Sequence, residues 1–139
     1  MSQQFPSLEA VQAQLERILA SKTFAHAGRL SRLLRYTVEQ ALTGQADQIK
    51  EYVLGLQVFD KGEDFDPRID PLVRVEAHRL RARLKKYYET DGAGDPVLIE
   101  FPKGSYAPVF RARSPAARPG VRRRVRSVAV AGALAAAGL

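Results

Sequence analysis

The chain has 139 residues, 45% hydrophobic and 27% charged, with no cysteine and no tryptophan. That length and apolar share suit one domain with its own core and argue against disorder over most of the chain. Without cysteine there is no disulfide, cysteine zinc site or thiol nucleophile. Two histidines, His26 and His78, are too few for a histidine-rich metal site. The opening MSQQFPSLEA lacks the basic and apolar regions of a secretory signal, so the cytoplasm is the expected compartment. The formal net charge is +7. Residues 1–110 carry 15 Lys and Arg against 15 Asp and Glu, while residues 111–139 carry seven arginines and no acid. The excess positive charge therefore belongs to the C-terminal stretch.

Residues 1–24 read as a capped helix and a linker. Ser7 is the expected N-cap, Glu9 lies in the first turn, and Leu8, Val11, Leu15, Ile18 and Leu19 recur at helical spacing. Residues 25–110 carry the densest periodic signal. A helix is expected from Ala27 to Leu42, with Leu30, Leu33, Leu34, Val38, Ala41 and Leu42 on its packed stripe and Gly44 as its stop. Arg29, Arg32 and Arg35 interleave with that stripe and read as a solvated face. A shorter helix is expected over Ile49–Phe59, with Ile49, Tyr52, Val53, Leu56 and Phe59 on its apolar side; Gly55 weakens it.

The segment DKGEDFDPRIDP holds five acids and two bases and reads as a loop. Asp70-Pro71 is a helix start, with Asp as cap and Pro at the first helical position. Asp66-Pro67 suits a separate short turn. From Pro71 to Tyr88, Val73, Ala77, Leu80, Leu84 and Tyr87 mark a buried face. Arg74, His78, Arg81 and Lys85 mark the other, with Arg79, Arg83 and Lys86 beside them. Residues 74–86 hold six Lys and Arg against one acid, Glu76. After the turn ETDGAGDP, VLIEF and SYAPVF flank Pro102-Lys103-Gly104. This pattern predicts a β-hairpin with a three-residue loop, Gly104 in the left-handed position, Lys103 at the tip, and Pro108 marking or bending an edge strand.

From Arg111 the composition shifts to Arg, Pro and Ala, so residues 111–126 read as a basic linker. Residues 127–139 are 13 uncharged positions, against the roughly 20 that a membrane-spanning helix needs. The expectation is the start of such a span, with Arg122, Arg123, Arg124 and Arg126 on its cytoplasmic side or drawn to anionic lipid. A loosely helical or disordered Ala/Gly tail is the alternative.

Three helices followed by a hairpin, with a basic third helix, form the layout of an α+β winged helix-turn-helix with an extra N-terminal helix. The sequence resembles the OmpR/PhoB-type winged-helix domain over residues 28–110. RLSRLLRYTVEQALTG is similar to that family's first helix, IKEYVLGLQVFD to its second, and DPRIDPLVRVEAHRLRARLKKYY to its recognition helix with the approach to it. VLIEFPKGSYAPVF resembles the wing, with Gly104 and Tyr106 matching its glycine and tyrosine. Residues 1–24 stand where the family carries a small antiparallel sheet. The resemblance implies transcriptional regulation through double-stranded DNA. Arg74, His78, Arg79, Arg81 and Lys85 would face the major groove, and Lys103 would be the wing contact. With the following apolar segment it implies a membrane-anchored bacterial regulator of the CadC/ToxR kind, at the inner face of the membrane. Family analogy also suggests a second copy as partner.

Two other function classes compete. A protein-interaction module on the same scaffold is favoured by the zero net charge of residues 1–110 and by the acidic loop. What separates it from DNA binding is whether Asp60, Glu63, Asp64 and Asp66 lie beside or away from the basic helix face. An enzyme using Asp64, Asp66 and Asp70 is not expected. Each Asp-Pro pair has a capping role, there is no Gly-rich phosphate loop, and Ser31 and Ser105 have no evident base. No cofactor is expected.

Overall fold

The computed structural model describes residues 5–113, which form an α+β fold. The four α-helices are α1 (Leu8–Leu19), α2 (Gly28–Leu42), α3 (Glu51–Gln57) and α4 (Leu72–Glu89). Short 3-10 turns at Lys22–Phe24 and Ala46–Gln48 lie on either side of α2. Strands β1 (Val97–Glu100) and β2 (Val109–Ala112) pair antiparallel, with Val97 opposite Ala112 and Glu100 opposite Val109. No described helix is long and apolar enough to cross a membrane. Residues 114–126 of the expected linker and the apolar segment 127–139 lie outside the described residues.

Each helix forms where its apolar spacing can be buried. Ser7 caps α1 by accepting a hydrogen bond from the Ala10 amide. The α1 stripe of Val11, Leu15 and Ile18 enters the same core as Leu33, Leu34 and Val38 of α2 and Val73, Ala77 and Leu80 of α4. Helix α1 and Phe24 thus share one core with residues 25–110. At α4 the cap position is Pro71, one residue later than expected, and the Asp70 carboxylate before it accepts from the Leu72 amide at 3.1 Å.

Two expectations are corrected. The second helix is shorter than 49–59 and is turned differently. Leu54, Gly55 and Val58 join the expected Ile49 in the core and the expected Leu56 and Phe59 pack against it, whereas Tyr52 is exposed. The segment is apolar on nearly all sides, so periodicity could not set its phase. Close packing sets it instead: a Cβ on Gly55 would stand 2.3 Å from the Phe65 ring. The hairpin is also built differently. Residues 101–108, rather than a three-residue loop, join the strands, and the second strand runs 109–112 rather than 105–110. Beyond Glu100 the Phe101 carbonyl, on the edge away from β2, accepts from Arg81, and the Tyr106 ring lies near the Phe101 ring. Pro108, which has no amide hydrogen, precedes the second strand. Gly104 is left-handed (φ +79°), as expected, and Lys103 is exposed. Pairing extends through Ala112, and the Arg113 amide donates to the Pro96 carbonyl, so order reaches into the stretch assigned by composition to the linker.

A buried carboxylate joins α1, α4 and the hairpin. Asp95 is hydrogen-bonded by Gln14 at 2.7 Å, by Arg17 at 2.9 Å and by the Tyr87 hydroxyl. Burial alone would push its pKa up; the bonds from Tyr87, Gln14 and Arg17 outweigh that and hold it below the ordinary aspartate value. Burial and the Asp95 contact push the Tyr87 hydroxyl well above its usual range.

Asp95→Ala leaves the Tyr87 hydroxyl and the Gln14 amide without their acceptor and should cost about 3 kcal/mol in urea unfolding. Because the folded-state pKa of Asp95 lies below the unfolded one, its contribution is complete above the unfolded value, about 4, and is lost as pH falls through the folded value. The gap between wild type and Asp95→Asn should therefore narrow below about pH 4. Gly55→Val should cost about 2 kcal/mol by overpacking against Phe65. Adding Phe65→Leu should recover part of that loss, a coupling measurable in a double-mutant cycle.

Candidate nucleic-acid interface

α4 is 18 residues long, about 27 Å. Val73, Ala77, Leu80, Leu84 and Tyr87 form its buried stripe, the face read from the sequence. The outward face follows from the same geometry. Residues seven apart on a helix drift by only about 20°, so Val75, Ala82 and Glu89 form one exposed line down the middle. His78 and Lys85 make a parallel line on the side of Arg74 and Arg81; Arg79 and Lys86 make another on the opposite side. All four are exposed. The centre of the face is thus Val75 and Ala82, ending in Glu89 in the last turn, and the bases flank it.

The flanking arginines split into those committed to the fold and those that are not. Arg74 Nη1 bonds Glu51 of α3 at 2.8 Å and the Pro67 carbonyl at 2.9 Å. Arg81 Nε donates to the Phe101 carbonyl at 3.0 Å, and its guanidinium stacks over the Phe101 ring. Arg83 donates to the Thr23 carbonyl at 2.8 Å, fastening the turn between α1 and α2. Arg79 is 65% exposed at its side chain and lies 3.6 Å from Glu76. Glu76, buried within the basic segment, also takes Arg29 at 3.2 Å. Arg32 pairs with Asp60, and Arg35 with Glu16 and Glu39, so the expected solvated face of α2 is a row of exposed ion pairs.

Of the six residues singled out from the sequence, His78, Arg79, Lys85 and Lys103 are therefore exposed, while Arg74 and Arg81 are tied to neighbours. Sequence reasoning named the bases but not Val75 and Ala82 between them; their seven-residue spacing was the available signal. Arg74 and Arg81 instead line a cleft of about 300 Å³ against Gly104, Ser105 and Tyr106 of the hairpin connection. Burial pushes the Tyr106 hydroxyl up there. The connection that ends in the exposed Lys103 thus stands beside the first half of α4.

Three acids of the loop pair with bases outside α4. Asp60 pairs with Arg32 of α2, Asp66 with Arg68, and Asp70 with Lys61. The Arg68 bonds hold the Asp66 carboxyl below its usual range, and Lys61 does the same to Asp70. The loop touches α4 at the first turn, through Arg74 and the Asp70 carboxylate. No ion pair among the described residues joins it to Arg79, Arg81 or Lys85. Glu63 and Asp64 are exposed. Among the described residues no group of three or more His, Asp and Glu is placed to hold a metal ion.

No family model, curated protein or solved structure matches the chain.

The division of the arginines has a direct test in stability. Arg81→Ala removes a charged donor from the Phe101 carbonyl and should cost about 1 kcal/mol in chemical denaturation. Lys103→Ala touches no partner and should stay within about 0.5 kcal/mol of wild type.

Proposed function

We propose that the chain is a DNA-binding module of the winged-helix type, similar to the OmpR/PhoB class, acting in transcriptional regulation. In this reading α4 is the recognition helix and residues 97–112 are the wing. The observation that carries it is the outward face of α4: His78, Arg79, Lys85 and Lys86 stand exposed in two lines, and the loop's acids Asp60, Asp66 and Asp70 pair with bases outside α4. Exposed bases on a helix of this length attract phosphates by releasing condensed counterions. Lys103 adds a backbone contact without sequence information. Arg122 to Arg126, followed by the uncharged segment 127–139, support a location at the inner face of a membrane.

A protein-interaction module is the second reading. Ile69 is 80% exposed within the acidic loop, beside Asp70 and in the segment that carries Glu63 and Asp64. That is an apolar point in an acidic setting, suited to a basic protein partner.

Duplex-DNA titration of the full chain against salt separates the two. Arg79→Ala with Lys85→Ala should weaken binding and lower the log–log salt slope by about 2, and Lys103→Ala should lower it by about 1. The arginine stretch is present in every variant, so the differences belong to α4 and the hairpin. Unchanged slopes in folded variants would remove α4 as the DNA face and leave the interaction reading.

A further inference from the structure

We propose that Val75 and Ala82 are specificity-determining residues that contact thymine methyl groups, so the preferred duplex carries thymines under the middle of α4. This rests on the DNA-binding reading above and says what that surface reads. The argument begins with width. A helix with its side chains is about 10–12 Å across, and the major groove is about 12 Å wide. A helix filling that groove turns its flanks to the phosphate walls and its middle to the base edges. The flanks of α4 are His78 with Lys85 and Arg79 with Lys86; the middle is Val75 and Ala82, with Glu89 at its C-terminal end beyond both. Val75 is 44% exposed and belongs to no core cluster, and Ala82 is exposed one heptad further on.

Guanine reading by arginine is disfavoured by the same geometry. It requires a guanidinium presented squarely to the O6 and N7 acceptors. Arg74 is held by Glu51 and the Pro67 carbonyl, and Arg81 by the Phe101 carbonyl and ring. Arg79 stands on a flank, toward Glu76. What remains at the centre can exclude water and pack against a methyl group but cannot donate a hydrogen bond. In the major groove thymine is the base that offers a methyl group. The two contacts would lie about 10 Å apart along the helix.

The test uses the full chain. Duplexes are selected from a random pool, and each thymine of the selected site is then replaced singly by deoxyuridine, which removes only the methyl group. Two replacements should each weaken binding about threefold to fivefold, the worth of one buried methyl, with the salt slope unchanged. Val75→Ser, at an exposed position that leaves the core intact, should lower affinity for the thymine duplex and abolish the penalty at one of the two positions. Selected sites that tolerate every uridine replacement would overturn the proposal. So would sites whose central guanines lose their preference with Arg79→Ala. If Arg79→Ala with Lys85→Ala leaves both binding and salt slope unchanged, the DNA-binding reading falls and this inference with it. If that variant weakens binding but uridine does not, only the thymine contact is lost.

Discussion

The position of the hairpin against α4 depends on one buried carboxylate. Asp95 stands at the entry to β1 and gathers Gln14 and Arg17 from α1 and Tyr87 from α4. From that point the strand is held at every second residue. The Tyr88 hydroxyl donates to the Val97 carbonyl and accepts from the Ile99 amide, both at 2.9 Å, and Arg81 takes the Phe101 carbonyl. The backbone groups held at residues 97, 99 and 101 share the edge away from β2 because peptide groups alternate in direction along a strand. Arg81, Leu84, Tyr87 and Tyr88 meet this stretch because three- and four-residue steps share a face of a helix. The two periodicities interlock along a single line. Buried ion pairs contribute little net stability against well-packed apolar groups, but breaking one leaves groups stranded. The network therefore fixes geometry more than it adds to stability.

This geometry gives the basic residues two different jobs. The zero net charge of residues 1–110 conceals a spatial division. Arg74, Arg81 and Arg83 spend their hydrogen bonds on backbone carbonyls and Glu51, joining α4 to the loop, the hairpin and the first turn. Arg29, Arg32 and Arg35 of α2 face acids of α4, the loop and α1. His78, Lys85, Lys86 and Lys103 remain turned to solvent, with Arg79 between the two groups. Arginine presents a planar fork of donors and lysine a hydrated point charge. Arginine therefore suits the fixed internal contacts, and lysine the yielding outer ones.

Much of the fold was legible because its helices are amphipathic. The buried stripe of α4, the Ser7 cap and the left-handed Gly104 all rest on local rules that tertiary contacts left standing. The misreadings share a different origin. α3 is apolar on most sides, so its orientation comes from Gly55 meeting Phe65, ten residues away in the chain. The hairpin connection runs over residues 101–108, and turn rules carry no sign that Arg81, twenty residues upstream, ties the Phe101 carbonyl to α4. Five of the six site residues were chosen as bases on a helix face, and that rule cannot tell an arginine bonded to a carbonyl from one facing water. Glu76 shows the same limit: an acid in a basic run looks exposed until Arg29 and Arg79 close over it.

The two basic lines also limit what they can explain. Attraction to phosphates is a sequence-independent term, shared by every duplex of equal length. A surface made only of His78, Arg79, Lys85 and Lys86 would hold DNA without choosing among sites. Discrimination has to come from whatever lies between those lines or from the shape of the duplex itself. An isolated exposed valine or alanine needs no explanation. Val75 and Ala82 gain meaning from their alignment, one heptad apart and bounded on both sides by bases. The Asp95 network holds α4 against the core while Arg74 is drawn toward α3 and the acidic loop and Arg81 toward the hairpin. The middle of the outward face, up to Glu89 at its C-terminal end, is left to Val75 and Ala82, which contribute shape and a methyl surface instead of charge.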